Sequence, residues 1–309
     1  MKKQAFPTAK TRQKTFNRMT KADIAYQCIV YFIVVLVALF CLFPMIYVLC
    51  LSFTGEKEWI ARGNSMLIPY QPTFAGYVRV FKQSKTYMHS LYISGLRTVI
   101  GTALSLLFTM YFGYVLSRRD MPGNKLFMFM IMITVLFGGG TIPTYLTVKD
   151  LGILNTFWAM IIPCLVDSWD VLVFRQFFLN LPHEVEESAY IDGVDEIRMM
   201  TRIVAPMSLP VVAAIALFLA VGHWNAWYDA LIYIQDEDIK PLQLIIHNMS
   251  LTTDLTDYTK IDALTQNATV SARGLRMCLT VMGTVPILIV YPFLQKYFVK
   301  GMYVGAVKG

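Results

Sequence analysis

Apolar residues in this chain do not alternate with polar ones; they gather in long blocks. Stretches free of Asp, Glu, Lys and Arg run over 24–55, 98–117, 126–148, 203–228 and 277–295, and a block at 151–174 is interrupted only by Asp167 and Asp170. A helix crosses the hydrocarbon layer with roughly 20 apolar residues, and each block supplies a stretch of that order. Strands of a membrane barrel would alternate, in segments of about ten residues. The pattern predicts an all-α integral membrane protein with six transmembrane helices, over approximately 24–53, 90–117, 125–148, 155–178, 206–234 and 274–297. Residues 1–21 read as a basic N-terminal arm and 22–309 as one transmembrane domain. In the third span, Gly138-Gly139-Gly140 and Pro143 predict a break or bend near the outer face. Such breaks survive in a membrane only where protein or a cavity satisfies the freed backbone groups.

Composition agrees. Of 309 residues, 56% are hydrophobic and 15% charged, against roughly a quarter charged in a soluble domain. The net charge of +7 would raise nucleic acid as a partner for a soluble protein, but its distribution reads as a topology signal. Lys2, Lys3, Lys10, Arg12, Lys14, Arg18 and Lys21 precede the first span, Arg118, Arg119 and Lys125 lie between the second and third, and Lys296, Lys300 and Lys308 close the chain. The acids Asp236, Glu237, Asp238, Asp254, Asp257 and Asp262 collect between spans five and six. Lys and Arg in short connections mark the cytoplasmic face, so both termini are expected inside a plasma membrane. The first apolar run is too long for a signal-peptide core and no small-residue cleavage site follows it. Cys28, Cys41, Cys50, Cys164 and Cys278 all fall in predicted spans without a CxxC pair, so no disulfide framework or metal site is expected.

One connection on the basic face is built differently from a plain loop. In Leu181-Pro-His-Glu-Val-Glu-Glu-Ser-Ala-Tyr-Ile-Asp-Gly193, Pro182 suits the first turn of a helix, where its missing N–H is no loss. Glu184, Glu186 and Glu187 place negative charge at the positive end of the helix dipole, and Gly193 offers a left-handed stop. A second short helix is expected to start near Asp195 and end at Arg198 and Arg202, before Pro206 and Pro210 open the fifth span. Ser188 and Ala189 leave little side-chain bulk, so another protein could approach the backbone closely.

This segment resembles the coupling-helix motif of ABC importer permeases, which has Glu-Ala-Ala, then Gly, then Ile-x-Leu-Pro. Here it reads Glu187-Ser188-Ala189, Asp192-Gly193 and Ile203-x-x-Pro206, with Ser188, Val194, Met200 and Ala205 as small or apolar departures. Further motifs are similar to the second permease of maltose-type carbohydrate importers: Phe137-Gly-Gly-Gly-Thr-Ile-Pro-Thr-Tyr145, Lys149-Asp-Leu-Gly-Ile-Leu-Asn-Thr156, Gly222-His-Trp-Asn-Ala-Trp-Tyr-Asp229, Pro241-Leu-Gln243 and Tyr291-Pro-Phe-Leu-Gln-Lys-Tyr-Phe-Val-Lys-Gly301 with its Gly305-Ala-Val-Lys-Gly309 tail. The subgroup they resemble is the one associated with complex oligosaccharides and polysaccharide products. The resemblance implies a type I importer permease fold with a cytoplasmic coupling segment over 182–205. It also implies a second homologous permease, an ATPase dimer and an extracellular or periplasmic sugar-binding protein as partners. The chain has no GxxxxGK[ST] loop, so no cofactor is expected on it, and ATP and Mg would be used by the ATPase subunits. The family assigns the ATPase contact to Glu187, Ser188, Ala189, Asp192, Gly193, Ile203 and Pro206.

For the substrate path the candidates are Asp167, Trp169, Asp170, Trp224, Asn225, Trp227 and Asp229. Ionisable groups within spans tend to face an interior path or a partner, and sugars take aromatic rings against their C–H faces and carboxylates or amides on their hydroxyls. The alternative for the aspartates is the outer end of a short span, and for the aromatics interfacial anchoring. The expected function is ATP-driven import of a carbohydrate, an oligosaccharide, by alternating access, and the chain is not itself an enzyme. Sugar-phosphate or polyol import by the same machinery stays open, as does an ion-coupled secondary transporter using Asp167, Asp170 and Asp229. His89, His183, His223 and His247 are too scattered for an intramembrane enzyme.

Overall fold

In a computed structural model of the chain, residues 21–55, 58, 61–62, 67–82, 84–118, 120–254 and 272–306 are described. All but the last residue of the expected basic arm, the acids Asp257 and Asp262, and the last three residues of the tail lie outside them. The described residues contain one isolated antiparallel bridge, Thr54 to Pro72, and no longer strand. Everything else is helix or connection, as the long unalternating apolar blocks require.

The first helix, α1 (Lys21–Ser52), runs 32 residues. Its most apolar stretch buries nothing inside the chain, and Phe40 is 79% exposed. Such a surface is stable only against lipid or another apolar subunit. After α2 (Ala75–Lys82), the 34-residue α3 (Ser84–Ser117) forms the central column. It packs against α6 (Ser168–Phe178) and α8 (Leu209–Asn225), while α11 (Ala272–Ala306) lies against α1, α8 and α10 (Leu242–Asp254). Small residues let backbones approach closely in a membrane bundle. A Cβ on Gly113 of α3 would stand 2.6 Å from Phe174 Cβ and 3.2 Å from the Arg175 nitrogen of α6.

Three of the six expected spans are not continuous helices. The third divides into α4 (Asn124–Leu136) and α5 (Thr141–Asp150), with Phe137 to Gly140 non-helical between them, where the three glycines predicted a break. The fourth is two 3₁₀ turns, Phe157–Met160 and Ile162–Cys164, followed by α6 at a bend of 49°. Pro163 stops the first part, and the Asp167 side chain starts the second by accepting the Trp169 and Asp170 backbone N–H groups at 2.9 and 3.1 Å. The fifth ends at Asn225; Ala226 is extended and a separate α9 (Tyr228–Tyr233) follows. By length and composition three helices can cross a membrane unaided: Asp23–Ser52, Tyr87–Ser117 and Arg273–Pro292. Two bent pairs pass the same test jointly, and α4 is a shorter apolar helix.

Two buried cores lie at opposite ends of α3. One gathers Ile93, Val148, Met160, Tyr233 and Leu244; the other gathers Tyr114, Phe174, Phe178, Met199, Met200 and Ile215. At 1.5 Å per residue, Ile93 and Tyr114 are about 30 Å apart along the helix. Each core carries one of the regions described next.

Candidate functional site

The first region is the connection from α6 to α8. Pro182 precedes α7 (His183–Ile191), whose first turn carries Glu184 and Glu186. Gly193 ends it at φ 76°, a conformation that strains any residue with a Cβ. The Gly193 N–H bonds the Tyr190 carbonyl and the Val194 N–H the Ala189 carbonyl, both at 3.0 Å, which closes the helix end. Asp195 then caps Glu196–Arg198 by accepting the Arg198 N–H at 2.7 Å. A wide π turn, Met199–Val204, follows, and the chain swings through 87° into α8.

Burial sorts the side chains of this turn into two faces. Met199, Met200 and Val204 are fully buried and Ala189 nearly so, all in the core around Phe174 and Phe178, and Ile203 is half-buried against it. Glu187, Ser188, Asp192, Gly193 and Pro206 are exposed, together with Ile191 (81%) and Ile197 (68%). The small side chain of Ala189 therefore serves the inward packing, while Glu187 through Gly193 present polar and backbone groups outward. The apolar anchor holds this exposed tip on the end of the bundle.

A polar node ties the same turn to the end of α3. Arg118 donates through Nη1 to Glu186 and through Nη2 to the Tyr114 hydroxyl, and its Nη2 lies 3.6 Å from Glu196 Oε2. Its guanidinium sits 4.5 Å from the Tyr114 ring centroid and 5.8 Å from that of Tyr190. The Tyr114 hydroxyl donates to Glu196 Oε2 at 2.7 Å, and the Tyr190 hydroxyl donates to Oε1. Burial works to raise the Glu196 pKa, but the two tyrosine hydrogen bonds and the Arg118 charge prevail and hold it below its ordinary value of 4.5. Asn124, first residue of α4, donates through Nδ2 to the Leu116 and Arg118 carbonyls at 3.0 and 2.8 Å.

The second region is a cavity of about 530 Å³ between α3, the 3₁₀ turns, α6, α8 and α9. Asp167, Asp170, Asn225, Trp227 and Asp229, five of the seven path candidates, line it together with Arg97. Trp169 is 65% exposed and outside it. Trp224 is buried on another side of α8, donating its indole N–H to the Gly283 carbonyl at 2.8 Å. Trp227 stacks on His247 at 3.7 Å between ring centroids.

Arg97 was not among the sequence candidates. It is 1% exposed and forks onto both carboxylate oxygens of Asp229, with Nη1 to Oδ1 at 3.2 Å and Nη2 to Oδ2. Nη1 also reaches the Ala226 carbonyl at 3.1 Å and Nη2 the Met160 carbonyl at 3.2 Å. An arginine inside a membrane segment must find such a partner. That requirement was the available signal, since Asp229 was the nearest intramembrane acid without one. Asp229 is consequently engaged, whereas Asp170, half-buried on the cavity wall, accepts no hydrogen bond from another side chain.

No protein-family model matches the chain. Individual relatives do. The chain is 42% identical over 266 residues to protein LplC of Bacillus subtilis strain 168, covering 86% of this chain and 89% of that one. It is 36% identical over 284 residues to the polygalacturonan/rhamnogalacturonan transport system permease protein YtcP of the same organism, covering 92% and 98%. Among solved structures, a chain of a bacterial ABC transporter involved in the import of the acidic polysaccharide alginate superposes with a TM-score of 0.83 at 27% identity, covering 91% of this chain and 99% of that one. With identities of this size over almost its whole length, and the same fold as a solved importer, the chain belongs to the family of ABC sugar-transport permeases.

Proposed function

We propose that the chain is one transmembrane subunit of an ATP-driven importer that moves an oligosaccharide into the cytoplasm by alternating access. In this reading α1, α3, α4 with α5, the bent fourth segment, α8 and α11 make six spans, and the positive charge of the short connections puts both termini on the cytoplasmic side of the plasma membrane. The observation that carries it is the turn 182–206: an exposed tip around Glu187 and Gly193 on a fully buried anchor of Met199, Met200 and Val204. A connection that only joined two spans would need neither. Glu187 meets a separate ATPase dimer, which uses ATP and Mg, and Gly193 lets the turn seat there. The apolar surface of α1 is covered by lipid and by a second permease. A sugar-binding protein delivers the substrate from outside.

Within the cavity, Asp170, Asp167, Asn225 and Trp227 are the groups offered to a passing glycan, two carboxylates and an amide for hydroxyls and a ring for a C–H face. Asp229 holds Arg97 instead. The relatives named for polygalacturonan and alginate support a polymer-derived oligosaccharide over a polyol or sugar phosphate.

The test is co-purification. The chain expressed with its neighbouring transport subunits should bring down an ATPase, and Glu187→Ala or Gly193→Val should lose it while the permease still inserts in the membrane. Solute movement by the isolated chain, driven by an ion gradient alone, would overturn the reading.

A further inference from the structure

We infer that Arg118 is the positioning residue that makes α7 and the α3–α4 junction move as one body, and so sets how tightly ATP hydrolysis is coupled to the gate. The inference rests on the proposed function, because it supposes that α7 is the element an ATPase displaces.

Two kinds of contact hold α7 to the bundle. Ala189 packs in the core beside Phe174 and Phe178, and apolar burial is non-directional, so that contact permits sliding. The Arg118 fork onto Glu186 and the Tyr114 hydroxyl is directional, since a planar guanidinium fixes the angle as well as the distance of its partners. Arg118 is itself immobilised from behind: Asn124 of α4 holds its carbonyl at 2.8 Å, and both tyrosine rings lie beside its guanidinium. Glu186 and Glu187 are neighbours with different destinations, one half-buried toward Arg118 and one exposed. A displacement taken up at Glu187 therefore reaches the start of α4 through Glu186 and Arg118, with no contact between Arg118 and the ATPase required. Glu196, held by Tyr114 and Tyr190, carries the same tie to the following turn.

The measurement is a pair of spin labels, carried on non-natural amino acids at exposed Asp192 and Leu126, in the complete complex with its ATPase in lipid discs. Wild type should give one narrow distance that does not change when ATP, Mg and vanadate are added. Arg118→Gln should match it without nucleotide, keep the ATPase bound, and shift or broaden the distance by about 2 Å with nucleotide, the scale of helix shifts in switching proteins. Arg118→Lys, which keeps the charge without the fork, should fall between. Glu186→Gln should reproduce the shift and decides the matter if Arg118→Gln fails to accumulate. An Arg118→Gln or Glu186→Gln complex whose distance stays at the wild-type value with nucleotide overturns the inference. So does a distance already altered without nucleotide, or loss of the ATPase, since each makes Arg118 a support of the resting fold only. If the wild-type chain brings down no ATPase, the proposed function itself has failed and the strut has no lever to carry.

Discussion

Arg97 and Arg118 lie at the two ends of the described bundle's central helix and meet acids in opposite ways. Arg97 is almost fully enclosed, and its two terminal nitrogens reach one carboxylate and two backbone carbonyls. Arg118 is partly open, lies beside two tyrosine rings and is shared between Glu186 and Glu196. A charge buried so deeply gains its stability only while its partner stays in place, because an isolated ion in such surroundings carries a large desolvation penalty. A half-exposed charge can exchange partners at little cost, since water and a second acid are at hand. The first arrangement suits a part of the scaffold that must not move, and the second a joint that transmits movement.

The largest effect should come from breaking the enclosed pair. Arg97→Ala leaves Asp229 as an unpaired buried charge and is expected to destabilise the chain by about 3–5 kcal/mol, read as loss of folded permease on detergent thermal unfolding. Replacing both partners by apolar residues of similar size, Arg97→Met with Asp229→Leu, should recover most of that stability. If Arg97→Ala unfolds no sooner than wild type, the contrast between the two arginines collapses.

Midway in size is the packing that keeps the column straight between them. Gly113→Ala forces a Cβ against Phe174 and the α6 backbone at 2.6 and 3.2 Å, and should destabilise by about 1–3 kcal/mol in the same assay. The smallest effect sharpens the picture at the open end. Because the Glu196 pKa is lowered on folding, its contribution is fully present above its ordinary value of 4.5 and is lost as pH falls through the lower folded value. Amide exchange over residues 189–198 should accelerate in that acid window relative to the change elsewhere, and Glu196→Gln should remove the dependence.

What could be read from the sequence depended on distance along the chain. The turn at 182–206 was legible because its determinants are local: Pro182 before a helix, Gly193 to end it and Asp195 to cap the next. The break at Gly138 to Gly140 was legible for the same reason. The Arg97–Asp229 pair joins residues far apart in the chain, and Arg97 sits immediately before the charge-free run at 98–117, where it passed for a flank. Trp224 and Trp227 look alike in sequence, yet one donates to Gly283 and the other faces the cavity, a difference set by the helix end at Asn225. Asp167 was read by its charge, although its place before Ser168 also fits a helix cap, which is the role its backbone bonds show.

The wide turn at Met199–Val204 has a consequence for how this chain can vary. A π turn takes up more residues than an α turn of the same height, so it acts as a slack loop of thread between two wound spools. Deleting a single residue there would rewind it to α geometry and rotate everything beyond by about 100°. Trp224 would leave Gly283, and Asn225 would leave the cavity wall. Related chains should therefore tolerate substitutions in this stretch far better than any change in its length.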